Sequence, residues 1–210
     1  MTIELYHHLN VYGTVFETNH KLINPIDFVK WSEEYFEYVR YNPRKDIKRY
    51  GLSITSLDGG TSGIPDLDSL LEYNRENKTR YTEKDFKVFT PVYEYADFRN
   101  IIEPIKDDIF RSHILKLEPA GYFPPHRDYY GMEIDSFRLV IPLHNCNPPN
   151  LTFIVDDKIQ QWSHRTVYFV DTAKMHYLFN ASSQPSYMVV LNVNLTKNAI
   201  NFVTQNLKYR

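Results

Sequence analysis

From Arg111 onward the chain is a succession of short β-type runs cut apart by turns of Pro, Asn and Asp, and that pattern leaves few folds open. The runs lie near residues 111–118, 124–130, 137–144, 150–155, 165–171, 175–180 and 186–195. Strands in this number predict a mainly β fold, a jelly-roll barrel. Before residue 111 the pattern changes to helical periodicity among irregular segments. One helix is expected after Asn24-Pro25, with Phe28, Trp31, Tyr35 and Val39 on a stripe, stopping before Asn42-Pro43. A shorter one follows Pro65 and carries Leu67, Leu70 and Leu71. A third carries Phe98, Ile101, Ile102, Ile105 and Ile109, with Pro104 placed to kink or split it.

Between the first two helices, "KRYGLSITSLDGGTSG" reads as a strand-like run closing on a Gly-rich loop, expected to be a mobile surface segment. Helices first and strands afterwards predict that the helices buttress one outer face of a sheet. The expected organisation is one domain, 1–210. Residues 1–110 give helical and irregular support with a possible lid over "RYGLSITSLDGG", 111–195 form the core, and 196–210 are a C-terminal tail.

Composition narrows the function classes. Of 210 residues, 42% are hydrophobic and 15% aromatic, enough for a sizeable core. A net charge of -2 provides no global field to draw the protein to nucleic acid or an anionic membrane, so neither is expected as a partner. No apolar run approaches the roughly 18 residues of a spanning helix, and the opening "MTIELYHHLN" lacks the regions of a signal peptide. A soluble, cytoplasmic protein is the expectation. The lone Cys146 permits no internal disulfide and reads as a small buried hydrophobe.

Within the β-rich part, His126 and Asp128 stand at i and i+2, where strand alternation would point both to one side of a sheet. His176 follows on a later expected strand, with 47 residues between it and Asp128. Two neutral imidazoles and one carboxylate bind Fe(II) on one octahedral face and leave the opposite positions open for a cosubstrate and oxygen. Zinc more often takes a tetrahedral, thiolate-rich shell, which a single cysteine does not supply. A bare H-x-D is common by chance. Here the pair follows the turn in "EPAGYFPPHRDYY" and precedes a strongly β-type stretch.

Several pieces in order, "EPAGYFPPHRD", "FRLVIPL", Trp162, "VYFVDTAKMHYLFN" and "SYMVVLNVN", make residues 111–195 resemble the catalytic core of the aspartyl/asparaginyl β-hydroxylase group of 2-oxoglutarate oxygenases. That resemblance implies a double-stranded β-helix, a cupin-like barrel. It implies His126, Asp128 and His176 as the iron ligands and the catalytic centre. Arg138 falls on the family arginine that contacts 2-oxoglutarate, a task suited to a planar guanidinium fork. Alternation independently sets Arg138 and Val140 opposite the apolar Phe137, Leu139 and Ile141.

Two positions depart from the family. Where it carries a second arginine for the far carboxylate, this chain has Ser186, and where it often writes a histidine, this chain has Val140. Lys174, two residues before His176, and His144, which shares parity with Arg138, are candidates to supply the missing charge, although each also reads as an ordinary turn or surface residue. Arg165 is a weaker candidate. Arg127, Tyr129 and Tyr130 beside the first ligands are candidates for substrate contact, whereas Tyr122 and Trp162 read as packing residues.

The resemblance thus implies an Fe(II)- and 2-oxoglutarate-dependent dioxygenase that uses molecular oxygen to hydroxylate an amino-acid-type substrate, free or as a protein side chain. Succinate and carbon dioxide would be the coproducts. The alternative is a metal-holding, cupin-like barrel with a binding or structural role and no 2-oxoglutarate turnover. A nucleic-acid oxygenase is disfavoured by the charge.

Overall fold

Strand alternation organises the barrel: Phe137, Leu139 and Ile141 enter one apolar cluster while Val140 enters another on the opposite face. The computed structural model describes residues 2–23, 27–129 and 134–208. Its helices are α1 (Thr2–Asn10), α2 (Phe28–Tyr35), α3 (Leu70–Asn77), α4 (Ala96–Ile102) and α5 (Lys197–Thr204). Its strands are β1 (Val15–Lys21), β2 (Val39–Arg40), β3 (Arg49–Ser53), β4 (Thr55–Ser56), β5 (Val88–Phe89), β6 (Ile109–Leu117) and β7 (Tyr122–His126). They continue as β8 (Ser136–His144), β9 (Leu151–Val155), β10 (Lys158–Ile159), β11 (Thr166–Val170), β12 (His176–Asn180) and β13 (Ser186–Asn194).

The strands form a seven-stranded sheet in the order β1-β11-β8-β13-β6-β3-β2, a four-stranded sheet β10-β9-β12-β7, and a small β4-β5 pair. From β6 onward the chain passes back and forth: β6, β8, β11 and β13 lie in the large sheet, and β7, β9, β10 and β12 in the small one. That alternation is the double-stranded β-helix expected from the sequence, and its pairings are antiparallel. Leu115, Leu117, Phe153, Leu178 and Met188 fill the space between the sheets. On the outer face of the large sheet, Ile114, Phe169, Val189 and Leu191 pack with Leu9, Phe98, Ile102 and Val203 of the helices. The helices therefore buttress one sheet face, as expected.

The N-terminal half differs from its expected form in several places. It is more than helical support, since β1, β2 and β3 extend the large sheet at both edges. Arg49–Ser53 is not a mobile surface segment: it pairs along its length with β6, and Leu52 and Ile54 are fully buried. The first helix ends at Tyr35, because the chain turns extended at Phe36 and the β-branched Val39 pairs with Gly51. Tyr35 is consequently exposed, while Phe28 and Trp31 pack on Tyr95 with their rings tilted to it. Asp27 caps that helix by accepting from the Val29 and Lys30 N–H groups; the expected Asn24-Pro25 start lies outside the described residues.

Leu67 precedes α3 and is buried, but Leu71 is 83% exposed and carries no core stripe. Pro104 does divide the third helix, into α4 and a 3-10 segment at Glu103–Asp108, and Ile109 begins β6. Over 196–208 the expected C-terminal tail is instead part of the packed fold. Thr196 caps α5 by accepting from the Ala199 N–H at 3.1 Å, and Ala199, Ile200, Phe202 and Val203 are buried.

Candidate metal centre

His126 is the last residue of β7 and His176 the first of β12, and the register sets them directly opposite each other. Their ring centroids are 4.2 Å apart. Asp128 lies two residues past the strand end, in a bend rather than on the longer strand expected over 124–130, because its N–H donates to the Thr172 carbonyl at 3.0 Å. That bond turns the carboxylate toward the histidines: Asp128 Oδ1 stands 3.9 Å from His126 Nε2 and 4.0 Å from His176 Nε2. One ligand atom from each of the three residues lies within 4.8 Å of the others, the spacing of donors around one ion.

The tautomers fit the same purpose. His126 Nδ1 sits 2.7 Å from the Pro124 carbonyl and His176 Nδ1 sits 3.0 Å from the Lys174 carbonyl. A proton on each Nδ1 makes those hydrogen bonds and leaves each Nε2 lone pair free for a metal. Burial pushes the His176 imidazole below its ordinary range, opposed by the Asp128 charge, so it stays neutral as a ligand must. Burial alone would raise the Asp128 carboxyl, but the charge of the Arg138 guanidinium, the largest opposing influence, holds it below the usual carboxylate range. The donor set is therefore one carboxylate and two imidazole nitrogens, which fits a divalent first-row metal.

Arg138 lies on the inner face of β8, with Nε 3.4 Å from Asp128 Oδ2 and Nη2 3.7 Å from Glu83 Oε2. Both carboxylates keep it charged despite burial. Its Nη1 is buried with no hydrogen-bond partner, so a carboxylate entering here meets a donor already in place. Triad and arginine share one cavity of about 160 Å³. Its apolar wall includes Leu115, Phe123, Phe153, Leu178 and Met188. The rest of its lining carries charge of both signs: Glu83 and Asp66 face Arg111, whose Nη1 donates to Glu83 at 2.8 Å.

The other expected site residues are distributed elsewhere. Ser186 is buried at the start of β13 and donates to the Asn145 carbonyl at 2.8 Å, outside the cavity lining. Lys174 is exposed in a turn, and its carbonyl, not its ammonium, serves the site by holding His176. His144 is exposed at the far end of β8 from Arg138. Arg165 borders a separate small cleft with Asp27 and Phe28. Arg127 is exposed, and Tyr129 ties its loop to β8 by donating to the Ser136 carbonyl at 2.9 Å; neither lines the cavity. Tyr130 lies outside the described residues. Trp162 packs between Phe153 and Tyr168, as a packing residue should.

Several cavity residues were absent from the sequence reading: Tyr41, Asp66, Glu83, Arg111, His113 and Asn192. For His113 a signal existed, since it shares parity with Leu115 and Leu117 on β6. Glu83 sits in a three-residue 3-10 turn, where no periodicity marks which way a side chain points.

Solved structures that resemble the chain include the cupin domain of Cnp3 from Schizosaccharomyces pombe, at 7% identity and TM-score 0.33, covering 41% of this chain and 56% of that one. A predicted oxalate decarboxylase from Thermotoga maritima matches at 14% identity and TM-score 0.33, covering 44% and 73%. A cupin 2 domain-containing protein from Halorhodospira halophila matches at 11% and 0.32, covering 42% and 54%. The first of these is thus matched over little more than half of its length. No curated protein matches the chain. Residues 73–195, which hold the triad, Arg138 and Glu83, match the sequence model described as aspartyl/asparaginyl beta-hydroxylase, and the chain belongs to that family.

Proposed function

We propose that the protein is an Fe(II)- and 2-oxoglutarate-dependent dioxygenase that hydroxylates a C–H bond of an amino-acid-type substrate, releasing succinate and carbon dioxide. The observation that carries this reading is the pairing, in one cavity, of a three-donor metal site with a buried arginine whose Nη1 has no partner. His126, Asp128 and His176 would hold the metal, and Arg138 would take a carboxylate of the cosubstrate. Molecular oxygen would be the oxidant, and bound iron with 2-oxoglutarate as two-electron co-reductant would supply the oxygen activation that C–H hydroxylation needs, chemistry that no side chain can perform.

The chain's own contribution is positional. The backbone carbonyls of Pro124 and Lys174 fix the imidazoles, and Arg138 keeps Asp128 ionised. Leu115, Phe153 and Met188 keep the inner end of the cavity dry, which strengthens each charged contact there. The mixed lining supports an amino-acid-type substrate: the Asp66 and Glu83 carboxylates offer acceptors to an ammonium, whereas the Arg111 guanidinium is already committed to Glu83 and to the Asp66 and Asp68 carbonyls.

The test is calorimetric titration of 2-oxoglutarate into the Fe(II)-loaded protein without oxygen, repeated with Arg138→Gln, which should weaken binding roughly 10- to 100-fold. Absence of binding to the wild-type protein rejects the reading. In that case the alternative favoured by the uncharged Ser186, a metal-holding barrel without 2-oxoglutarate turnover, takes its place.

A further inference from the structure

Arg49 is 94% buried by side-chain and backbone together, showing only 6% of its surface, yet among the described residues no carboxylate stands within ion-pair distance of it. Its Nε is buried and without a hydrogen-bond partner. The guanidinium rests instead on two aromatic faces, 4.0 Å from the Phe123 centroid and 5.4 Å from that of Tyr41. Cation–π contact offsets part of the cost of taking this charge out of water, but a buried cation ordinarily has an anion or full hydrogen bonding as well. Burial accordingly lowers the Arg49 pKa. Every other buried or half-buried arginine of the cavity region is matched: Arg111 to Glu83, Arg138 to Asp128 and Glu83.

The location of this uncompensated cation is specific. Arg49 pairs with Leu117, and Leu117 pairs with Ser186, so the three form one row across β3, β6 and β13 with their side chains on the same face. Leu117 marks that face as the barrel interior. Phe123 and Tyr41, on which the guanidinium lies, both line the cavity, and the Phe123 ring is 6.0 Å from that of His126. The cation therefore stands one aromatic ring away from a metal ligand, on the row where the family's second arginine is replaced by serine.

We propose that Arg49 is the cation that meets the far carboxylate of 2-oxoglutarate, supplied from β3 in place of an arginine at position 186. The proposal rests on the 2-oxoglutarate reading above. Arg49 does not itself border the cavity, so binding requires the guanidinium to slide past the Phe123 face, a rotamer change that a long side chain held by no hydrogen bond makes readily. Ser186, small and turned to the Asn145 carbonyl, leaves room for it on that row.

The test compares two 2-oxo acids binding to the Fe(II)-loaded protein without oxygen: 2-oxoglutarate, and 2-oxobutyrate, which has the same chelating end and no far carboxylate. Wild-type protein should prefer 2-oxoglutarate by roughly 10- to 100-fold. Arg49→Met, which keeps the volume and apolar contacts, should erase that preference while leaving 2-oxobutyrate affinity within about threefold of wild type. Arg49→Lys keeps the charge without the fork, and should retain an intermediate preference. The assignment of Arg49 is overturned if Arg49→Met keeps the wild-type preference, or if it loses affinity for both acids equally. A wild-type protein that binds neither acid instead overturns the 2-oxoglutarate reading itself.

Discussion

His113 shows how much a single buried group in this cavity can matter. It sits on β6 beside Arg111, across from Val190, and the Tyr41 ring lies 5.2 Å away. Burial, with the Arg111 and Arg138 charges nearby, pushes its imidazole down from 6.5 to about 3. Because the folded pKa is depressed, the neutral ring's contribution to stability is fully present above the unfolded value and is lost as pH falls through the window between 6.5 and about 3. Within that window each pH unit costs up to ~1.4 kcal/mol. His113→Asn removes the titration and keeps a polar side chain. Between about pH 6 and about pH 4, wild type should lose roughly 2 kcal/mol more stability than the variant in urea denaturation. Parallel losses in both proteins would show that the imidazole does not carry the charge penalty assigned to it.

At the scale of elements, legibility followed periodicity. The runs that became β6, β8, β9, β11, β12 and β13 alternate or are continuously apolar and lie between turn residues, so their positions could be read to within a few residues. Alternation set Arg138 on the face opposite Phe137, Leu139 and Ile141, and the family resemblance, not periodicity, turned that face toward the ligands. β1 could not be read as a strand: "VFETNHK" is largely polar, and only its place beside β11 makes it one. Arg49 and Glu83 reach the cavity region through tertiary placement of distant segments, which local pattern does not encode. In α5 a signal was present but outweighed by its position near the end of the chain: Thr196 as cap, then Ile200, Phe202 and Val203 at helical spacing. If α5 is a structural buttress, Thr196→Ala should cost ~1 kcal/mol and Phe202→Ala ~3 kcal/mol in denaturant unfolding. Two variants as stable as wild type would restore the reading of this segment as a tail.

Across the whole molecule, the candidate metal centre is one place where the two sheets meet through side chains. His126 and His176 belong to the small sheet, Arg138 to the large one, and Asp128 touches both sides, at 3.9 Å and 4.0 Å from the imidazoles and 3.4 Å from the guanidinium. An ion bound by the triad would bind only the folded arrangement, since the histidines come from strands far apart in sequence, and it would stabilise the protein by mass action. At a free metal concentration of about 100 times Kd this is ~2.7 kcal/mol, or roughly 5–10 °C in Tm for a chain of this length. Co(II), an air-stable stand-in for iron, should produce that shift, and a chelator should reverse it. Asp128→Asn keeps the shape and hydrogen bonding of the bend but removes the one anionic donor, so its shift should be mostly lost. Equal shifts in wild type and Asp128→Asn would mean that the metal binds elsewhere on the protein, and the triad would then be only a cluster of polar groups at the barrel mouth.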